Sequence, residues 1–109
     1  MNIRDAVPLA EDPIEKIKTR LFDEDVQAHP RAVAVLGWLT GLAVTEPTIE
    51  EFFLTEDGML LVRHGDDIGA EFWGPLATFL SDLRHLLGEM GLNERQVEAV
   101  VDQARRRMA

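Results

Sequence analysis

His64, Asp66 and Asp67 are near neighbours in the chain, and an imidazole with two carboxylates is a donor set that a small cation accepts. Glu51, expected across a strand from His64, and Glu71, a few residues on, are placed to add further oxygens. The same residues also make an ordinary turn. Asp and Gly are the commonest loop formers, Asp side chains bond to the backbone just ahead of them, and Glu51 opposite His64 is an exposed ion pair. The turn is the simpler account, so no metal is expected, with His64, Asp66, Asp67 and Glu71 as the weak candidates. Gly65-Asp66-Asp67 also spells a tripeptide seen in polymerase active sites, a chance match in a chain of 109 residues.

Asp82, His85 and Glu89 fall on one face of an expected helix, at a spacing that suits ligands or an acid and a base. That face lies opposite a leucine stripe and reads as solvated surface, with a weak ion pair between Asp82 and His85. His29 precedes Pro30 and reads as a cap or loop residue. The three histidines lie in different segments without HxxxH or HExxH spacing. Ser81 sits inside a helix with no glycine elbow around it, so it is not a nucleophile. The glycines at 65, 69 and 74 lack the Lys and Ser/Thr of a phosphate loop, and nearby acids repel phosphate. Arg105, Arg106 and Arg107 complement a helix C-terminus. No catalytic or cofactor-binding residue is expected, and no cofactor.

Aromatic residues carry the remaining chemistry, that of recognition. Trp38, Phe52, Phe53, Phe72 and Trp73 are the interface candidates, because large aromatics anchor binding hot spots. Core packing is the competing role for each taken singly. Two features favour an interface: a hairpin apolar on both faces needs cover on both, and an acidic rim surrounds it. From Glu46 to Phe72 there are eight acids and a single base, Arg63.

The elements that must position these residues follow from capping and periodicity. Asp12, Pro13 and Glu15 open a helix of about 12 residues, whose apolar stripe is Ile14, Ile17 and Leu21 with Phe22 at its margin. Lys16, Lys18 and Arg20 face water. Ala32 to Val44 is apolar all round and belongs in the core. Its alanines and leucines, with Pro30 at the first helical position, favour helix; its valines, Trp38 and two glycines favour strand, and helix is preferred. Asp57-Gly58 suits a two-residue hairpin turn pairing Leu54 with Leu61, Phe52 with Arg63 and Glu51 with His64. One face then holds Phe52, Leu54, Met59 and Leu61, with Arg63 over Phe52; the other holds Phe53, Leu60 and Val62. A three-residue bulged turn would shift every pair. A capping box at Thr48 and Glu51 competes with the strand and is the weaker reading. His64 to Gly69 is a loop, and Ala70 to Trp73 is a third short strand or an apolar lid. Pro75 starts a helix striped by Leu76, Phe79, Leu80, Leu83, Leu86 and Leu87. Gly91 ends it, Leu92 packs behind, and Asn93 with Gln96 caps a last helix striped by Val97, Val100, Val101, Ala104 and Met108.

The expected fold is α+β: a central antiparallel hairpin or three-stranded meander, flanked by N-terminal helices and a C-terminal helical hairpin, in one domain over 1–109 with a flexible tail at 1–11. Length suffices for a core without disulfides or metal, and there is no cysteine. A net charge of −9 disfavours direct binding of nucleic acid or anionic membrane. The longest uncharged run, Ala32 to Thr45, is too short to span a bilayer, and the N-terminus lacks the apolar stretch of an export signal. A cytoplasmic, non-catalytic protein-interaction module is therefore expected, homodimeric through the hairpin or apolar helix faces and able to guide a basic protein. Two alternatives stand beside it. One is an acidic mimic of nucleic acid that inhibits a DNA- or RNA-binding protein; the other is a metal- or ligand-binding protein using the 64–71 loop.

Overall fold

The computed structural model describes residues 13–42, 49–65 and 69–108. Helices α1 (Pro13–Arg20), α2 (Glu24–Gln27) and α3 (Pro30–Thr40) precede strands β1 (Ile49–Leu54), β2 (Met59–His64) and β3 (Glu71–Pro75). Helices α4 (Leu76–Glu89) and α5 (Glu94–Met108) close the chain. The fold is α+β, with one antiparallel sheet in the order β1-β2-β3. The Asp12 cap, the 1–11 tail, Asp66 and Asp67 lie outside the described residues.

The first helix is shorter than its sequence suggests, ending at Arg20. Leu21 must reach the core, and so must Val26 one turn later. The chain achieves both by breaking at Asp23 and forming the single turn of α2. Arg20 holds the break, donating to the carboxylates of Asp23 (2.8 Å) and Asp25 (3.0 Å), while the Gln27 amide donates to the Leu21 carbonyl (2.8 Å). Lys16 and Arg20 do not simply face water. Lys16 Nζ donates to the Gly91 carbonyl and Arg20 to that of Glu89, at 3.2 and 2.9 Å, so two cations of α1 cap the C-terminal end of α4.

The ambiguous apolar stretch is helical. Pro30 takes the first helical position of α3, and Gly41 ends it in the left-handed region. Ala32 to Gly37 and Leu39 are buried on every side, so burial rather than β-propensity decides.

Asp57-Gly58 does turn the hairpin, but through a three-residue loop. Thr55 N–H bonds the Met59 carbonyl and Gly58 N–H bonds the Thr55 carbonyl, at 2.9 and 3.0 Å. The Thr55 hydroxyl also bonds the Asp57 carboxylate and accepts the Met59 N–H. Gly58, at φ +85°, supplies the left-handed residue that such a turn requires. Leu54 therefore opposes Leu60, Phe53 opposes Leu61, Phe52 opposes Val62, and Glu51 opposes Arg63. The expected register is one residue off, which re-sorts the faces. Phe52, Leu54, Leu60 and Val62 share the face toward the helices; Phe53, Leu61, Met59 and Arg63 share the other. Arg63 consequently does not lie over Phe52.

Ala70 to Trp73 contributes a true third strand rather than a lid. Its pairing with β2 shifts between Leu60–Gly74 and Leu61–Phe72, leaving Trp73 as the extra residue of a bulge. Phe72 thus points outward beside Leu61, and Trp73 turns into the core. Pro75 ends β3 and serves as the N-cap of α4, one position earlier than its sequence context suggests.

The helical hairpin follows its signals closely. Leu83, Leu86 and Leu87 of α4 are buried, as are Val97, Val100, Val101, Ala104 and Met108 of α5. Asn93 and Gln96 form the reciprocal capping box, Gln96 N–H to Asn93 Oδ1 at 2.9 Å and Asn93 N–H to Gln96 Oε1 at 3.0 Å. Gly91 (φ +95°) and the Leu92 N–H to Leu87 carbonyl bond complete the left-handed cap. A Cβ at Gly91 would meet no atom within 4 Å, so only the backbone resists one. Gly91→Ala is accordingly expected to cost about 1 kcal/mol, read as a lowered thermal midpoint with unchanged far-ultraviolet circular dichroism. Among the described residues the buried core is entirely apolar.

Candidate functional site

The described helices pack on the sheet face that buries Leu60 and Val62. α3 and α5 lie against β1, and α4 against β3. A line of aromatic rings joins these layers. Trp38 of α3 meets Phe52 edge-on (4.7 Å between centroids), Phe52 meets Trp73 (6.4 Å), and Trp73 meets Phe79 of α4 (5.3 Å). Trp73 is only 8 % exposed and belongs to the core, while Trp38 and Phe52 are half-buried at its margin.

Among the described residues the opposite face of the sheet is exposed. Phe53 on β1 is 41 % exposed and Phe72 on β3 is 60 % exposed. Half-buried Leu61 lies between them on β2, so an apolar row crosses all three strands. The Arg63–Glu51 ion pair (3.1 Å) flanks the row. Glu51 therefore pairs with Arg63 and not with His64, whose Cα partner is Ile49. The five aromatic candidates thus divide, Phe53 and Phe72 onto the open face and the other three onto or beside the covered one.

Glu71 gathers the polar contacts at the covered face's rim. Its carboxylate accepts the Trp73 indole N–H (3.0 Å), approaches His64 Nε2 (3.4 Å) and lies 3.7 Å from the Arg31 guanidinium, which also stacks over Trp73 at 5.3 Å. The indole hydrogen bond, then His64 and Arg31, together outweigh partial burial and hold the Glu71 carboxyl below its ordinary value of 4.5. A depressed carboxyl contributes stability that is present above the unfolded-state value and lost as pH falls through the folded-state one. Glu71→Gln should lower stability at neutral pH by about 1 kcal/mol, discounted for a half-exposed site. The difference from wild type should shrink below about pH 4, in urea unfolding at both pH values. Of the suggested metal set, His64 and Glu71 come together, with His64 Nδ1 buried and unbonded, while Asp66 and Asp67 lie outside the described residues. Among the described residues no three His, Asp or Glu side chains converge as metal ligands.

Two concavities adjoin these surfaces. An open cleft of about 440 Å³ brings His29 and Arg31 from the start of α3 toward Asp82 and His85 of α4, over Trp73 and Phe79. Sequence spacing could not join His29 to His85, since only tertiary packing does so. His85 pairs with Glu89 (3.1 Å), not with Asp82. The second, about 580 Å³, runs beside β1, walled by Trp38 and by Arg107 and Met108 at the end of α5. Arg107 lies over the Trp38 ring at 4.3 Å, so at least one arginine of the terminal run packs onto an aromatic face.

Among the described residues, fold and surface together define a two-layer α+β arrangement with an exposed apolar row on one sheet face. No family model, curated protein or solved structure gives a significant match to the chain. No helix among the described residues is long and apolar enough to cross a membrane.

Proposed function

We propose that this chain is a small, acidic, non-catalytic protein-interaction module of the cytoplasm that forms a homodimer through the open face of its sheet. The observation that carries the reading is the row Phe53, Leu61 and Phe72, apolar across every strand on the side that no described helix covers. A lone exposed phenylalanine needs no explanation, whereas a contiguous row on a sheet face marks an interaction surface. A two-fold axis through that face would set Phe53 and Phe72 of one copy against the same residues of the other. Arg63 and Glu51 at its margin offer opposite charges to a symmetry mate. The absence of cysteine and the net charge of −9 suit a reducing, soluble setting.

The face measures about 14 Å by 20 Å, small for a permanent interface. The expected dimer is therefore reversible, with a dissociation constant in the micromolar range. Sedimentation velocity over a concentration series tests this: a mass rising from one chain to two supports the module, and a single-chain mass throughout removes self-association.

A further inference from the structure

We propose that the free edge of β1 is a strand-addition site for an extended, basic segment of a partner protein, one that alternates lysine or arginine with apolar residues. This rests on the reading of the chain as an interaction module and names the partner's chemistry. β1 is an outer strand, bonded to β2 alone among the described residues. Thr55 N–H bonds the Met59 carbonyl at the turn, and antiparallel pairs alternate between bonded and unbonded. Glu51 and Phe53 therefore spend their backbone groups on β2, while Phe52 and Leu54 turn theirs toward the free edge. Leu54 is 41 % exposed. Such an edge accepts an extended segment through main-chain hydrogen bonds, with alternate side chains read on either side.

The surroundings choose the occupant. On the helix side the added strand meets the groove lined by Trp38, Phe52, Leu54 and Met108, with Arg107 over the Trp38 ring and Glu50 and Glu51 also in the lining, so side chains set against the rings are apolar and cationic ones beside them meet acids. On the open side it meets Glu51 and Phe53. From Ile49 to Gly58 the chain carries Glu50, Glu51, Glu56 and Asp57 and no base. A second copy would bring the same four acids to the ladder, where like charges oppose pairing. A basic strand meets opposite charge instead. The irregularity between Ile49 and Glu51 confines the site to the Glu51–Leu54 end.

The test uses the ¹⁵N-labelled full chain and three capped peptides of about eight residues. One alternates lysine with valine, one places the same residues in two blocks, and one alternates but is N-methylated at every second amide. The alternating peptide should shift the amides of Phe52 and Leu54 and saturate. The two control peptides, and Glu50→Lys protein with the alternating one, should bind more weakly by about tenfold or more. Equal binding of the N-methylated peptide overturns the proposal, because ladder hydrogen bonds would then be irrelevant. So does a response confined to Phe53, Leu61 and Phe72. Sedimentation of the same samples separates this idea from the one beneath it. A dimer that binds no peptide and tightens in Glu50→Lys assigns the edge to a second copy, which sinks strand addition and leaves self-association standing. A monomer that binds the alternating peptide at β1 upholds strand addition without the dimer.

Discussion

Trp73→Ala is expected to lower the unfolding free energy by about 4 kcal/mol, a large share of the roughly 5–15 kcal/mol typical of a small domain. Three losses combine. The indole sits between Phe52 and Phe79, so its removal opens a cavity that two rigid rings cannot collapse into. Arg31 loses the ring it stacks on, and Glu71 loses its N–H donor. Trp73→Phe keeps the ring packing and removes the donor, and should cost about 1.5 kcal/mol. Urea titration followed by circular dichroism gives both numbers. If the alanine variant lost less than about 1 kcal/mol, Trp73 would have to be an exposed anchor, contrary to its burial.

Replacing Phe53 and Phe72 together by threonine should have the opposite profile: little change in the fold and loss of the dimer. Threonine is β-branched and suits a half-exposed strand, so unfolding of the single chain should change by no more than about 1 kcal/mol. Each phenylalanine occurs twice across a two-fold interface, so a loss of only about 0.7 kcal/mol per ring, well under that of a hot spot, already sums to about 2.7 kcal/mol. The dissociation constant should therefore rise by about 100-fold or more, observed by sedimentation velocity as a single-chain mass at concentrations where wild type pairs. An unchanged dimer would move the interface away from the open face. Leu61→Thr offers an independent check at the centre of the same row.

What the sequence made legible was local. Asn93 and Gln96 lie three apart, and the leucines of α4 repeat every three or four residues, so each signal and its partner share one turn of helix. Asp57-Gly58 likewise announced a turn. The longer loop combines the left-handed Gly58 with the Thr55 hydroxyl, which bonds Asp57 and Met59, and its length sets the sorting of the hairpin faces. Trp73 is an interface candidate by residue type, with core packing as its competing role, and alternation along Phe72 and Trp73 does not say which of the two faces inward. Gly74 was the overlooked clue, since a glycine inside an apolar strand marks a bulge. The contacts of Lys16 and Arg20 with the end of α4 had no sequence signal at all. They join positions 75 and 69 residues apart, and only the assembled helices bring them together.

Those two lysine and arginine bridges carry a consequence for how the chain assembles. From β1 to α5, each successive pair of elements is in contact, strand to strand, strand to helix and helix to helix. Closing such contacts needs only short loops and loses little chain entropy. α1 differs, because its ties to Glu89 and Gly91 close a loop spanning most of the molecule. The C-terminal part is thus the natural nucleus, and α1 a latch fastened afterwards. Release of α1 would break its packing on α3 and α5 and its two bonds to the end of α4, while the strand ladders and the edge of β1 stay in place.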